Sequence, residues 1–248
     1  MNSCQGPSHF NQQFAGQITE WSGADNEINL KKNCSNPETK QKLSDHGWLE
    51  SKIFYRYNSE GFRDDNFDQQ TCYIALGCSH TEGVGISESD TWPKQLENLL
   101  GVKVWNLGVG GSALDTCFRL LDYWIHYLNP VGVICAVPPK WRFEVFEGGN
   151  WSNILHTSTY QRFDGYVKTY FSFDENSDTN RKKNIMAMQN ICDVKGTPFY
   201  PNMLNKFGNG SLARDLMHHG ASANANLSQQ FYNQITGKNY DTDRICHC

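Results

Sequence analysis

Three short segments of this chain carry residue types from which acyl-transfer chemistry is built. The first is Gly77-Cys78-Ser79-His80-Thr81-Glu82-Gly83-Val84-Gly85, a glycine-rich stretch around a serine. Such a turn lets a hydroxyl project into a cleft while neighbouring backbone N–H groups point at an incoming oxygen. The second is Asn106-Leu107-Gly108-Val109-Gly110-Gly111-Ser112, whose glycines allow backbone amides to approach a ligand closely. The third is Ala213-Arg214-Asp215-Leu216-Met217-His218-His219-Gly220. An Asp and a His three residues apart on a loop can set a carboxylate beside an imidazole, fixing its tautomer and stabilising the imidazolium once it takes a proton. A serine hydroxyl alone is a poor nucleophile and needs such a base. Taken singly, each segment also has a plain structural role: Gly-Ser turns are common, and an Asp before a helix is often only a cap.

The elements around these segments place all three beside strand ends or helix starts. Residues 73–77 read as a buried strand, and Trp92–Leu100 as a helix with Pro93 in its first turn and Asp90 placed to cap it. Residues 103–107 predict a second strand. Leu114, Cys117, Phe118, Leu121, Ile125 and Leu128 then form one apolar helical stripe. Residues 131–137 are a continuous apolar run stopped by Pro138-Pro139, as expected of a strand covered on both faces. An irregular aromatic-rich stretch over 141–173, a helix near 179–192, a strand at 197–203 and a final helix over about 221–235 complete the pattern. Strands alternating with helices predict a three-layer α/β/α sandwich, flavodoxin-like, with a mostly parallel sheet of five strands or slightly fewer. Ligands of such sheets bind outside the carboxyl ends of the strands, where these turns fall. Residues 1–50, rich in Asn, Gln, Ser and Gly, predict an extended or loosely ordered arm available to an assembly partner or a second copy of the chain. The main domain is expected over 51–240, with a tail at 241–248.

Composition narrows the function. A net charge of -4 over 248 residues gives no basic field for nucleic acid. No apolar run approaches the roughly 20 residues needed to span a bilayer, and the polar start lacks the apolar stretch of a signal peptide. The expectation is a soluble chain, cytoplasmic by default, with a virion as the other setting. The nine cysteines are odd in number and several fall in apolar segments, which predicts buried free thiols. Cys246-His247-Cys248 lacks a second ligand pair at finger-like spacing, so no metal is expected. A dinucleotide site is disfavoured too. The glycine turn has Ala113 where the third glycine of G-x-G-x-x-G belongs, and Val137-Pro138-Pro139 stands where the next strand should end in an acidic residue.

Together, the segments resemble the sequence blocks of the SGNH (GDSL-type) hydrolases. Gly77-x-Ser79-x-Thr81-x-Gly83-x-Gly85 is similar to the first block, with Cys78 where the family usually has Asp. Asn106 to Ser112 resembles the second, and Asp215-x-x-His218 the last. Tyr57-Asn58-Ser59-Glu60-Gly61-Phe62-Arg63-Asp64 looks like a lead-in of the superfamily. The resemblance runs from about Tyr55 to Ile235 in the family's order. It implies a serine esterase without cofactor or metal, with Ser79 as nucleophile, His218 as base, Asp215 as its orienting carboxylate, and the N–H groups of Ser79 and Gly111 as oxyanion donors. The substrate would be a small ester, such as acetyl or short acyl groups on carbohydrate. One block departs: the family's third-block Asn, an oxyanion donor, is replaced by Ala136-Val137-Pro138-Pro139-Lys140-Trp141-Arg142. Lys140 or Arg142 would then supply the missing charge stabilisation, or be paired on the surface. The alternative is a weakly active or inactive hydrolase-fold attachment protein of a larger assembly, with the aromatic stretch binding glycan.

Overall fold

The computed structural model describes residues 6–155, 164–204 and 210–238. Along the chain run β1 (Ile18–Thr19), α1 (Glu27–Ser35), α2 (Pro37–Asp45), β2 (Tyr55–Arg56), β3 (Cys72–Leu76), α3 (Ser79–Glu82), α4 (Trp92–Leu100), β4 (Lys103–Asn106), α5 (Leu114–Leu128) and β5 (Gly132–Val137). They are followed by β6 (Arg142–Glu147), β7 (Asn150–Leu155), α6 (Asp164–Phe171), α7 (Asp174–Lys195), β8 (Phe199–Met203) and α8 (Ala221–Thr236). Four strands form one parallel sheet in the order β4-β3-β5-β8, the flavodoxin-like order at the lower of the expected strand counts.

Period-two alternation along the strands builds the two cores. Cys72, Ile74 and Leu76 of β3 join Val133, Cys135 and Val137 of β5 under Leu121, Trp124 and Ile125 of α5 and Met188 and Cys192 of α7. Ala75, Ile134 and Ala136 point the other way, onto Trp92 and Leu96 of α4 and Leu227 and Phe231 of α8. Each large apolar side chain so buried contributes about 1.5–3 kcal/mol, and both faces of the sheet are used. α4 spans the predicted residues, but its N-cap is Thr91, not Asp90. Asn224 of α8 accepts the Trp92 N–H at 3.1 Å, so a neighbouring helix serves an orphan donor that a local cap would otherwise take. Cys72, Cys78, Cys117, Cys135 and Cys192 are buried free thiols, and Cys34 is half-buried. Among the described residues no helix is long and apolar enough to cross a membrane, and no cluster of metal-ligating side chains occurs. Cys246-His247-Cys248 lies outside the described residues.

Two segments differ from the sequence-based expectation. Residues 6–50 fold onto the domain instead of forming a loose arm. β1 pairs antiparallel with β2, Leu43 is fully buried, and the Trp48 indole donates to the Leu212 carbonyl at 2.8 Å. Apolar periodicity misses this because much of the anchoring is polar: Ser22 and Asp25 are buried and hydrogen-bonded to Glu82 and Arg214. The aromatic stretch is also more regular than expected. β6 and β7 form a hairpin whose turn, Gly148-Gly149, has φ of 58° and 85°, which suits a tight primed turn. Residues 156–163 lie outside the described part.

Candidate active site

The sheet order places β4 and β5 on either side of β3, so the carboxyl end of β3 is the topological switch point. Ser79 follows β3 there, as the first residue of α3, where a backbone N–H has no intrahelical acceptor. The second glycine turn is stitched to it. Asn106 Nδ2 donates to the Thr81 carbonyl at 2.8 Å, Asn106 Oδ1 accepts the Gly108 N–H at 2.9 Å, and the Val109 N–H reaches the Gly77 carbonyl at 3.2 Å. Gly108 is required by closeness: a Cβ there would stand 2.3 Å from the Glu82 backbone nitrogen. Gly111 has φ +72° and open space around it. Among the described residues neither the Ser79 nor the Gly111 N–H has a backbone acceptor, which leaves both available to an incoming oxygen. From below, the buried Arg63 guanidinium lies 4.2 Å over the Tyr55 ring and donates to the carbonyls of Gly83 at 2.5 Å and Ile86 at 2.9 Å, fixing the loop that follows the serine.

Local backbone geometry also explains the Asp-x-x-His spacing. Asp215 Oδ1 accepts the N–H groups of Met217 and His218, both at 3.0 Å, while Oδ2 stands 2.5 Å from His218 Nδ1. Leu216 closes this turn with φ +58°, a left-handed conformation unusual for leucine that costs about 1–3 kcal/mol. Burial pushes the Asp215 carboxyl up, but the His218 ring and the two N–H groups outweigh it, and its pKa lies below the ordinary carboxylate value. An ionised carboxylate only accepts, so the Nδ1 end of His218 is the donor of this contact. Nε2 lies 2.8 Å from Ser79 Oγ. The His219 ring sits 4.9 Å from that of His80, which in turn lies 4.8 Å from His218. His80 is held neutral, its pKa lowered to about 3 chiefly by burial and further by His218, His219 and Arg142.

The dyad loop is anchored through the residue before Asp215. Arg214 binds Asp25 with both ends of its guanidinium, Nε to Oδ1 at 2.8 Å and Nη2 to Oδ2 at 2.7 Å, and both side chains are buried. Tyr55 donates its hydroxyl to the same carboxylate at 2.5 Å and accepts the Gly85 N–H at 2.8 Å, joining the amino-terminal segment, the serine turn and the dyad in one network.

A cleft of about 600 Å³ opens over Ser79 and His218, with Gly110, Gly111 and Arg142 in its wall. Arg142, at the start of β6, donates to the Ser112 carbonyl at 3.2 Å. Lys140 does not share this cleft. It is paired with Asp174 at 3.4 Å and Asp178 at 3.0 Å and faces a second cavity lined by His80, Pro138, Pro139, Trp141 and Arg181. Of the two basic candidates, only Arg142 stands with the serine. The cleft also contains residues that sequence spacing did not single out: Asn11 and Ser22 from the amino-terminal segment, Glu82 from the serine turn, and Trp151 and Asn153 from β7. Glu82 carried a signal in its place three residues after Ser79, and Trp151 in its place within the aromatic-rich stretch. The others arrive from segments without periodic pattern.

No family model matches the chain, and no curated protein matches it. Among solved structures it is similar to a lipolytic protein of the G-D-S-L family from Desulfitobacterium hafniense, 15% identical, covering 67% of this chain and 74% of that one at a TM-score of 0.36. It is also similar to a family 3 carbohydrate esterase from Clostridium thermocellum, 16% identical over 66% of this chain and 94% of that one, TM-score 0.38. An acetyl xylan esterase from Butyrivibrio proteoclasticus is 11% identical, over 71% and 66% of the two chains, TM-score 0.39.

Proposed function

We propose that this protein is a serine ester hydrolase of the SGNH type acting on small esters, among them acetyl or short acyl groups on carbohydrate. The observation that carries this is the continuous chain of contacts from Ser79 Oγ through His218 to Asp215, at 2.8 and 2.5 Å, opening on a cleft. Ser79 Oγ attacks the ester carbonyl carbon as its proton passes to His218 Nε2, and the carbonyl π electrons move onto oxygen. The N–H groups of Ser79 and Gly111 receive that oxyanion, with the Arg142 guanidinium as the cationic group in the wall in place of the family's Asn. Collapse breaks the bond to the alcohol oxygen, which leaves with the proton from His218. Water, deprotonated by the same imidazole, then releases the acid and restores Ser79. Asp215 keeps the imidazole in the tautomer both steps need.

Mapping a fluorophosphonate adduct by mass spectrometry tests the nucleophile. Labelling on Ser79, absent in Ser79→Ala, is expected; labelling elsewhere refutes the assignment. The base is tested by comparing His218→Ala with His219→Ala. The first should lose ester hydrolysis and the second retain it, and the reverse would mean that the dyad is wrongly placed.

A further inference from the structure

The β6–β7 hairpin reaches the cleft over Ser79 through side chains on one of its faces. Arg142 and Glu144 alternate along β6, and Asn153 of β7 is the register partner of Glu144, so all three stand on the face that meets the start of α5. Glu144 docks that face: its carboxylate accepts from Thr116 Oγ1 at 2.6 Å and from Arg119 Nε and Nη2, both at 2.7 Å. The other two side chains grip a single peptide group. Arg142 Nη1 donates to the Ser112 carbonyl at 3.2 Å, and Asn153 Oδ1 accepts the N–H of Ala113, the other end of the same peptide unit, at 2.8 Å. A backbone N–H only donates, so the amide atom of Asn153 that faces Ala113 is its oxygen.

The gripped peptide follows directly on Gly111. That glycine has φ +72° and open space where a side chain would stand, so no packing of its own steadies its N–H, and hydrogen bonds of the flanking residues set its place. On the sheet side these are the Val109 N–H and Ser112 Oγ, which reach the Gly77 carbonyl at 3.2 and 3.1 Å. On the outer side they are the two contacts from the hairpin. Ala113 is fully buried, so loss of the Asn153 oxygen would strand its N–H away from water and draw the peptide toward another acceptor. We infer that Asn153 is a positioning residue for ester cleavage: by holding the Ser112–Ala113 peptide it keeps the Gly111 N–H in reach of the oxyanion formed at Ser79. This rests on Ser79 being the nucleophile of the same cleft.

Asn153→Leu, which keeps the volume and removes the acceptor, should lower kcat on 4-nitrophenyl acetate about 10- to 100-fold with KM within about threefold, since misplacing a catalytic group by about 1 Å can cost 100-fold. Phenylboronic acid supplies the second readout. Its boron takes a lone pair from Ser79 Oγ as the hydroxyl proton passes to His218, and an oxygen of the resulting tetrahedral boronate occupies the oxyanion position. Its inhibition constant should therefore rise by the factor that kcat/KM falls. A variant that merely folds less well loses apparent kcat but keeps the inhibition constant of its folded fraction. Thr116→Val is the control, because it loosens the hairpin's hold on α5 without removing either contact to the Ser112–Ala113 peptide; kcat and the inhibition constant should stay within about threefold. An inhibition constant changed less than about twofold in Asn153→Leu, or changed equally in Thr116→Val, overturns the positioning role and leaves Ser79 as nucleophile. Wild-type protein that phenylboronic acid does not inhibit, and whose Ser79 takes no fluorophosphonate, overturns the nucleophile and the positioning role with it.

Discussion

Replacing Asp25 by alanine should damage the protein far more than its position in a polar leading segment suggests. Asp25 is 1% exposed and its partner Arg214 is 3% exposed, with two hydrogen bonds between them. Removing one member of a buried ion pair strands the other charge in a poor solvent and costs about 3–5 kcal/mol. Arg214 would keep the carbonyls of Ser51 at 3.2 Å and Glu20 at 3.1 Å and the ring of Trp21 at 4.5 Å, which places the loss toward the lower end. The Tyr55 hydroxyl would lose its acceptor at the same time, which pushes the loss up again. A domain is stable by only about 5–15 kcal/mol, so a large fraction is removed. At about 2–4 °C per kcal/mol for a chain of this size, the melting temperature should fall by roughly 6–20 °C. Urea denaturation followed by tryptophan fluorescence should show a lower midpoint with an unchanged slope. Adding Arg214→Met to Asp25→Ala should recover part of the loss, because the stranded charge is then gone. A loss below about 1 kcal/mol, the size of an exposed pair, would refute the buried network, as would unchanged melting of a chain begun at residue 51.

Arg142→Ala should lower turnover about 100- to 1000-fold with little change in KM, as for a group used mainly in the transition state. Lys140→Ala, which breaks only a partly exposed pairing with Asp174 and Asp178, should leave turnover within about threefold. Steady-state kinetics on one short ester distinguishes the two, and equal losses would mean that Arg142 does not face the oxyanion. Acid should unfold the protein early. Burial lowers the pKa of His9 to about 4 and of His80 to about 3, while the unfolded chain binds these protons near pH 6.5. Stability is therefore lost as pH falls below about 6.5, by about 1.4 kcal/mol per unit for each histidine, until about pH 4 for His9 and about pH 3 for His80. His9→Phe, which keeps a ring stacked on Phe62, should remove the His9 share from urea midpoints measured between pH 6.5 and 4.

What sequence could reveal of this site follows from how each part is held. Ser79, Gly111, Asp215 and His218 sit in turns whose local geometry needs particular residues at fixed spacing, such as the two N–H groups that Asp215 collects from Met217 and His218. Such turns are visible in a string of letters. The sheet was legible for the same kind of reason, since strands covered on both faces must be apolar throughout. Ser22 and Asp25 are different: their partners Glu82 and Arg214 lie far away along the chain, and neither period nor spacing records such pairings. Which of Lys140 and Arg142 stands in the cleft depends on which one the carboxylates of α7 capture, a tertiary fact.

The Asp25–Arg214 pair ties together positions 189 residues apart, with the serine turn between them in sequence. During synthesis Asp25 therefore leaves the ribosome long before its counter-charge exists. A nascent chain reaching residue 203 has the strands of the parallel sheet and Ser79, yet neither Asp215 nor His218, and an acidic group awaiting a cation. At the usual elongation rate of about 5–20 residues per second, the interval between Asp25 and Arg214 is roughly 10–40 seconds. Throughout it the amino-terminal segment has no salt bridge to hold it against the rest of the fold. The same interval exposes the unpaired segment to chaperones and proteases, and the docking of Arg214 is the event that would end that exposure.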